Sequence, residues 1–410
     1  MLRSLFTAIN SLRYHQMYMD VVADNLANVN TPGFKGSAFT FKDQIAQLIS
    51  AGSAPTTTLG GVNPTQVGLG TNVGSITRVF TQGALQSTGR DLDIAISGDG
   101  FFIYNDGTNQ TYYSRDGGLT LDGQGYLVNA STGARIQGWM ANAAGVVNTA
   151  GGLTGINIPI DASVARATQN AFLSGNLDST SAIGSTYNVT IGVYDALGAL
   201  HSVALQFTRS GANQWTMATT TIDGVANVQN AGTVTFDPAT GQYDPASGSG
   251  TITVPGSTGT TNFNVTLNLA GLTQLAEPST AALNSQDGLA AGELIGFNIS
   301  GNTGELFGVY SNGAQRLIGQ LAMADFNNPG GLMRMGENLY LPSLNSGVAR
   351  VGVANTGGRG TVSSGTVEGS NVDMSREFTN MILAQRGFQA STRIITTSDE
   401  MLQELVNLKR

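Results

Sequence analysis

The first thirty-six residues, MLRSLFTAINSLRYHQMYMDVVADNLANVNTPGFKG, restrict the fold more than any other stretch of the chain. Leu2, Leu5, Ile9, Leu12, Gln16, Met19, Ala23 and Leu26 recur at steps of three and four. That is the 3.5-residue seam of a coiled coil, with a polar intruder at Gln16. Thr31-Pro32-Gly33 ends the helix, because proline disfavours α backbone in the residue before it and glycine turns the chain. A single helix of this length cannot bury its own seam, so a partner must come from elsewhere.

The other end of the chain supplies it. Met374, Phe378, Met381, Gln385, Phe388, Thr392, Ile395, Asp399, Leu402 and Val406 follow the same steps, with three polar interruptions. Ser370 with Asp373 reads as a capping box, and Lys409-Arg410 suit a helix C-terminus through the macrodipole. Residues 1–35 and 371–410 are therefore expected to pair as a coiled-coil-like helical layer.

The chain between the helices is ordered almost as a palindrome. Residues 36–75 and 351–370 are rich in Gly, Thr and Ser, lack periodicity, and read as extended linkers. Residues 76–149 and 284–350 read as β, with Leu92, Ile94 and Ile96 alternating and hairpin signals at Asp106-Gly107 and Asp122-Gly123. Asp91 and Asp93 are taken as solvent-facing strand residues. Residues 150–283 carry short Thr-rich strands separated by turns, the pattern of a separate sandwich or barrel. The expected fold is mainly β with α-helical termini, built as two nested β domains, the inner inserted in the outer, because such an order arises most simply when the termini meet.

Charged residues make up only 11% of the chain, against roughly 25% in typical soluble proteins. With few charges, identical neighbours repel one another weakly. A net charge of −8 with only three lysines excludes a basic nucleic-acid surface. The absence of cysteine excludes disulfides, thiolate catalysis and zinc–thiolate sites. No apolar run is long enough to span a membrane, and the N-terminus lacks the apolar segment of a cleaved signal peptide. The two histidines, His15 and His201, read as satisfied or surface residues, and Trp139 and Trp215 as core anchors. No catalytic, cofactor or metal site is expected.

DNLANVNTPGFKG (residues 24–36), the C-terminal EGSNVDMSREFTNMILAQRGFQASTRIITTSDEMLQELVNLKR and the central DLDIAISGDGFFIYNDG resemble signatures of the flagellar rod, hook and hook-associated axial family. The Thr-rich block 150–283 is similar to the hook members, rod members being expected to be shorter. The resemblance implies a structural subunit that self-assembles into a curved tube, a universal joint passing motor torque to the filament. It also implies a distal rod protein below, a hook–filament junction protein above, a cap protein during assembly, and export outside the cell by the flagellar type III apparatus without cleavage. Within the motif, Asn25, Asn28, Asn30, Pro32, Gly33 and Phe34 form the turn, and Phe41 with Ile45 has the spacing of an export-gate signal. Two alternatives remain open: a distal rod or junction protein, and a secreted β-rich adhesin or carbohydrate-binding protein.

Overall fold

The computed structural model describes residues 2–57, 59–108 and 110–407, without the side chain of Leu2; Lys409 and Arg410 fall outside it. The fold is mainly β with paired helical termini, α1 (Leu2–Ala27) and α2 (Met374–Asn407). Helix α1 stops before the Pro-Gly turn. The Asn28 side chain donates to the Asp24 carbonyl at 2.9 Å, offering that group a partner outside the helical ladder. Helix α2 is capped by Asp373, not Ser370: its carboxylate accepts from the Ser375 and Arg376 amides at 2.9 and 3.2 Å.

Residues 36–75, expected as an extended linker, lie for the most part in a paired ribbon that runs from 37 to 78. Strand β1 (Ser37–Asp43) runs antiparallel to β4 (Thr71–Arg78), and β2 (Gln47–Ser50) to β3 (Thr65–Val67). Turn-forming composition hid the pairing, since ladder hydrogen bonds are made by backbone whatever the side chains. Phe39 and Phe41 alternate with Thr40 and Lys42 and meet the Tyr18 ring of α1 at centroid distances of 5.4 and 5.7 Å. The second connector is also paired: strand Thr361–Ser364 bonds Ile94–Ser97, and Thr366–Glu368 bonds Leu85–Ser87.

The chain divides into two compact units, residues 1–158, 298–307 and 317–410 in the first and 159–297 and 308–316 in the second. The first is built on strand Phe101–Asn105, which pairs with Thr111–Ser114, Arg135–Met140 and Met323–Asp325. Phe101, Tyr113, Trp139, Phe326 and Tyr340 fill its core, with Phe101 and Phe326 edge to face at 5.8 Å. Asp93, expected at the surface, is buried there beside Arg90, 3.8 Å away.

The second unit packs two sheets around one core. Strands Thr186–Tyr194, Leu200–Gly211 and Gln214–Ile222 form an antiparallel ladder, while Asn170–Asn176 and Phe263–Thr273 run parallel in the other sheet. Along Leu200–Gly211 buried and exposed residues alternate, the period-2 pattern of a sheet with one wet face. Phe207, Trp215, Leu205 and Val265 lie in its centre, Trp215 only 1% exposed.

Candidate assembly site: the terminal helices and the clasp at their root

The helix pair is half of the expected seam and half of another. Leu5, Leu12, Met19 and Leu26 on α1, and Met381, Phe388, Ile395 and Leu402 on α2, are half-buried along the contact. The alternating positions are each displaced by one residue. Instead of Ile9, Gln16 and Ala23, the residues facing α2 are Ala8, His15 and Val22; instead of Gln385, Thr392 and Asp399, those facing α1 are Ala384, Ser391 and Ser398. The corrected seam keeps the seven-residue repeat but fills every second position mostly with small side chains. Small residues let the helices approach closely. A Cβ on Gly387 would lie 2.4 Å from the His15 ring, and the Ser391 hydroxyl donates to that of Ser11 at 3.1 Å.

The displaced residues face outward. Ile9 is 44% exposed and Val406 71%, with Met374 and Phe378 also exposed, and Leu2 has no described side chain. Outside the seam, Phe6, Ile382, Leu383 and Leu405 add further exposed apolar surface. Two of the polar intruders are satisfied away from the contact: Thr392 donates to the Phe388 carbonyl at 3.0 Å, and Asp399 accepts from Gln403 at 3.0 Å.

At the root of the pair, the turn after α1 is held by a buried clasp. Asn25 makes two 2.8 Å hydrogen bonds with the Ser37 backbone, donating to its carbonyl and accepting from its amide. Gly33 adopts φ +69° and donates to the Glu368 carbonyl at 2.7 Å; a Cβ there would sit 2.7 Å from the Asp116 nitrogen, so glycine is required. Phe34 is fully buried, with the Arg334 and Arg78 guanidiniums 5.3 and 5.8 Å from its ring. Asn28 accepts from the Thr31 hydroxyl at 3.2 Å, while Asn30 and Pro32 are exposed. The Pro32 carbonyl accepts from Asn338 at 2.8 Å.

Three clasp residues escaped the sequence reading. Lys35, fully buried, donates to Glu368 at 2.6 Å and to the Thr81 carbonyl at 2.8 Å; Arg115 meets the second Glu368 oxygen at 3.5 Å. Burial pushes the Lys35 ammonium below its ordinary range, against the pull of Glu368. Lys35 adjoins the recognised turn, but nothing in a single sequence ties it to a carboxylate 333 positions away.

The full chain aligns with the flagellar hook protein FlgE of Borreliella burgdorferi at 39% identity and with that of Treponema pallidum at 38%, covering 100% of each protein in both alignments. The chain belongs to the flagellar hook protein family. It is a structural subunit of the flagellar hook. Family models match in the same order: Flagella basal body rod protein over residues 5–35, Flagellar hook protein FlgE/F/G D1 domain over 95–170, Flagellar basal body protein FlaE D2 domain over 157–289, and Flagellar basal body rod FlgEFG protein C-terminal over 363–408. A rod protein, FlgG of Bacillus subtilis, also aligns at 33% identity over the whole of both chains, so length does not separate hook from rod members as expected.

In this hook-family chain the two residues with export-signal spacing lie apart in character. Phe41 sits on β1 against His15 and Tyr18, its ring 5.5 Å from the imidazole, while Ile45 is 84% exposed beyond the strand. His15 is not a satisfied histidine: its Nδ1 is buried without a partner, and burial lowers its pKa.

His201, in the second unit, brings together Asp223 (2.6 Å from Nδ1), Ser257 (3.3 Å from Nε2) and Asp195 (3.5 Å from Nε2). The order imitates a catalytic triad, but a second carboxylate, Asp195, stands at the same Nε2 and accepts from the Ser257 backbone amide at 3.3 Å. Burial works to raise the Asp195 pKa, yet hydrogen bonds from the Ser257 hydroxyl and from the Ala199, Ser257 and Leu197 amides hold it well below the usual carboxylate range. With Asp223 on Nδ1 and Ser257 and Asp195 near Nε2, the cluster pins three chain segments together.

Proposed function

We propose that the subunit polymerises through its terminal helices into a flexible tube that acts as a universal joint, passing torque from motor to filament. The observation that carries this reading is the division of labour on the helix pair. Within one chain small residues close the contact, while Ile9, Phe378, Val406 and their neighbours stay exposed. A monomer gains nothing from such a stripe, whereas packing against further copies removes it from water. The seam residues Leu5, Leu12, Met19, Leu26, Met381, Phe388, Ile395 and Leu402 then hold the pair, and the outward set joins copies. The Asn25–Phe34 clasp fixes the point at which the helical layer gives way to the β units.

The same reading has the chain act without catalysis, leave the cell uncleaved through the flagellar type III apparatus, and join a distal rod protein, a junction protein and a cap. Phe41 with Ile45 remains the candidate export signal. The adhesin alternative gives way to the hook family. Removing residues 1–35 or 372–410 should abolish tube formation, seen by electron microscopy, while the remaining chain still unfolds cooperatively. Tubes from either truncated chain would overturn the helix-based assembly.

A further inference from the structure

Two uncharged apolar surfaces of the first unit are bare in the single chain. One is the outer half of the ribbon: Ile45, Leu48, Ile49, Leu59, Val62 and Val67 are all exposed, and β2 and β3 are exposed along their whole length. A two-stranded ribbon open on both faces is marginal alone and needs a surface to lie on. Residues 44–77 contain no Asp, Glu, Lys or Arg, the longest such run in the chain. The other surface is a groove of about 1020 Å³ lined by Tyr113, Met333, Leu344, Val348 and Val351 among others, none of its lining residues charged. Leu344 is fully exposed and Val348 86% exposed on its rim.

We propose that the ribbon of residues 44–70 in one copy seats in the Tyr113–Met333–Leu344–Val348 groove of a neighbouring copy. This rests on the reading that the chain polymerises. A second copy is the occupant that fits, because the groove offers no charge for a polar partner to pair with and the ribbon brings none that would need pairing. The exposed apolar residues of α2 are a poorer match, since Arg376, Arg386, Arg393, Glu400 and Glu404 stand among them and would be stripped of water in that groove. Both surfaces are open in the isolated chain, so neither covers the other there. The contact would tie copies together outside the helical layer, through a ribbon whose glycines at 60, 61, 68 and 70 let it flex as the copies shift.

The chain has no cysteine, which makes cross-linking free of background. The Ile49→Cys/Val348→Cys variant, assembled and then treated with a mild thiol oxidant, should give a reducible ladder of covalent multimers. Either single variant, or Ile49→Cys combined with Val228→Cys as an exposed control, should give none. Tubes without the ladder, or an equal ladder from the control pair, would overturn the contact; failure of the unsubstituted chain to form tubes would instead overturn the polymer reading. As an independent measurement, Ile49→Glu and Leu344→Lys should each slow assembly at least tenfold with the monomer melting temperature unchanged, and together restore it. Unaltered assembly by both single variants would also refute the contact.

Discussion

The inserted β unit and the terminal helix pair bury their residues by opposite rules. In the β unit large side chains close the core: Phe207, Trp215, Leu205 and Val265 are all fully buried and the strand alternation is clean. In the helix pair the buried seam positions are mostly small, Ala8, Ala384, Ser391 and Ser398 beside Val22, and several large apolar residues are left outside. The first is the economy of a domain whose core is complete. The second is the surface of a component, since a free-standing hairpin would turn Phe378 and Val406 inward. Burial of large groups marks where stability resides, and exposure of large groups on a regular element marks where the molecule continues into another.

The contrast can be broken first with paired truncations. Trp215→Ala should cost the inserted unit about 3–5 kcal/mol, the range for deleting a buried large aromatic. Phe378→Ser, exposed in the monomer, should change monomer stability by no more than about 0.5 kcal/mol yet impair assembly. Chemical denaturation of both variants, with sedimentation of polymer, checks the pair. Equal stability losses would show that Phe378 has a core role within one chain.

A smaller effect tests the closeness of the helix contact. Glycine within a helix costs about 1 kcal/mol relative to alanine, so Gly387→Ala should stabilise an isolated helix. Here the new methyl meets the His15 ring at 2.4 Å, and overpacking of that kind costs about 1–3 kcal/mol. The net expectation is a loss, seen as a lower helix melting temperature by circular dichroism. In a His15→Ala background the sign should reverse. A gain in the unsubstituted background would show that the helices do not approach as closely as Gly387 and His15 indicate.

The comparison also explains what a single sequence discloses. The inserted unit was legible because its alternation is carried by large apolar residues, each reporting its own face. On the helices the same logic found Leu5, Leu12, Met19 and Leu26 but then took Ile9 instead of Ala8, and on α2 Gln385, Thr392 and Asp399 instead of Ala384, Ser391 and Ser398. Periodicity weighted by hydrophobicity tracks the largest residues, whereas the tight contact selects the smallest. The ribbon of residues 37–78 was hidden because pairing by backbone leaves little trace in Gly- and Thr-rich composition. The Lys35–Glu368–Arg115 cluster was hidden because it joins three distant points of the chain, and no local pattern encodes that.

The smallest expected effect is a pH dependence confined to the helix pair. His15 stands at the seam with Gly387 and Phe41 around it and Nδ1 unpartnered, and burial lowers its pKa from 6.5. A base whose folded-state pKa is depressed binds fewer protons when folded than when unfolded. Its neutral form therefore supports folding fully above pH 6.5, and that support fades as pH falls below 6.5 toward the folded pKa. In the inserted unit His201 has partners on both ring nitrogens, Asp223 2.6 Å from Nδ1 and Asp195 3.5 Å from Nε2. Acidification from pH 7.5 to 5.5 should loosen the helices more than the β unit, measured by amide hydrogen exchange in α1 and α2 against strand Gln214–Ile222. His15→Gln should remove the helix-specific part of that response. If the variant and the unsubstituted chain respond alike, the acid sensitivity lies in carboxylates elsewhere and His15 is only a spacer against Gly387.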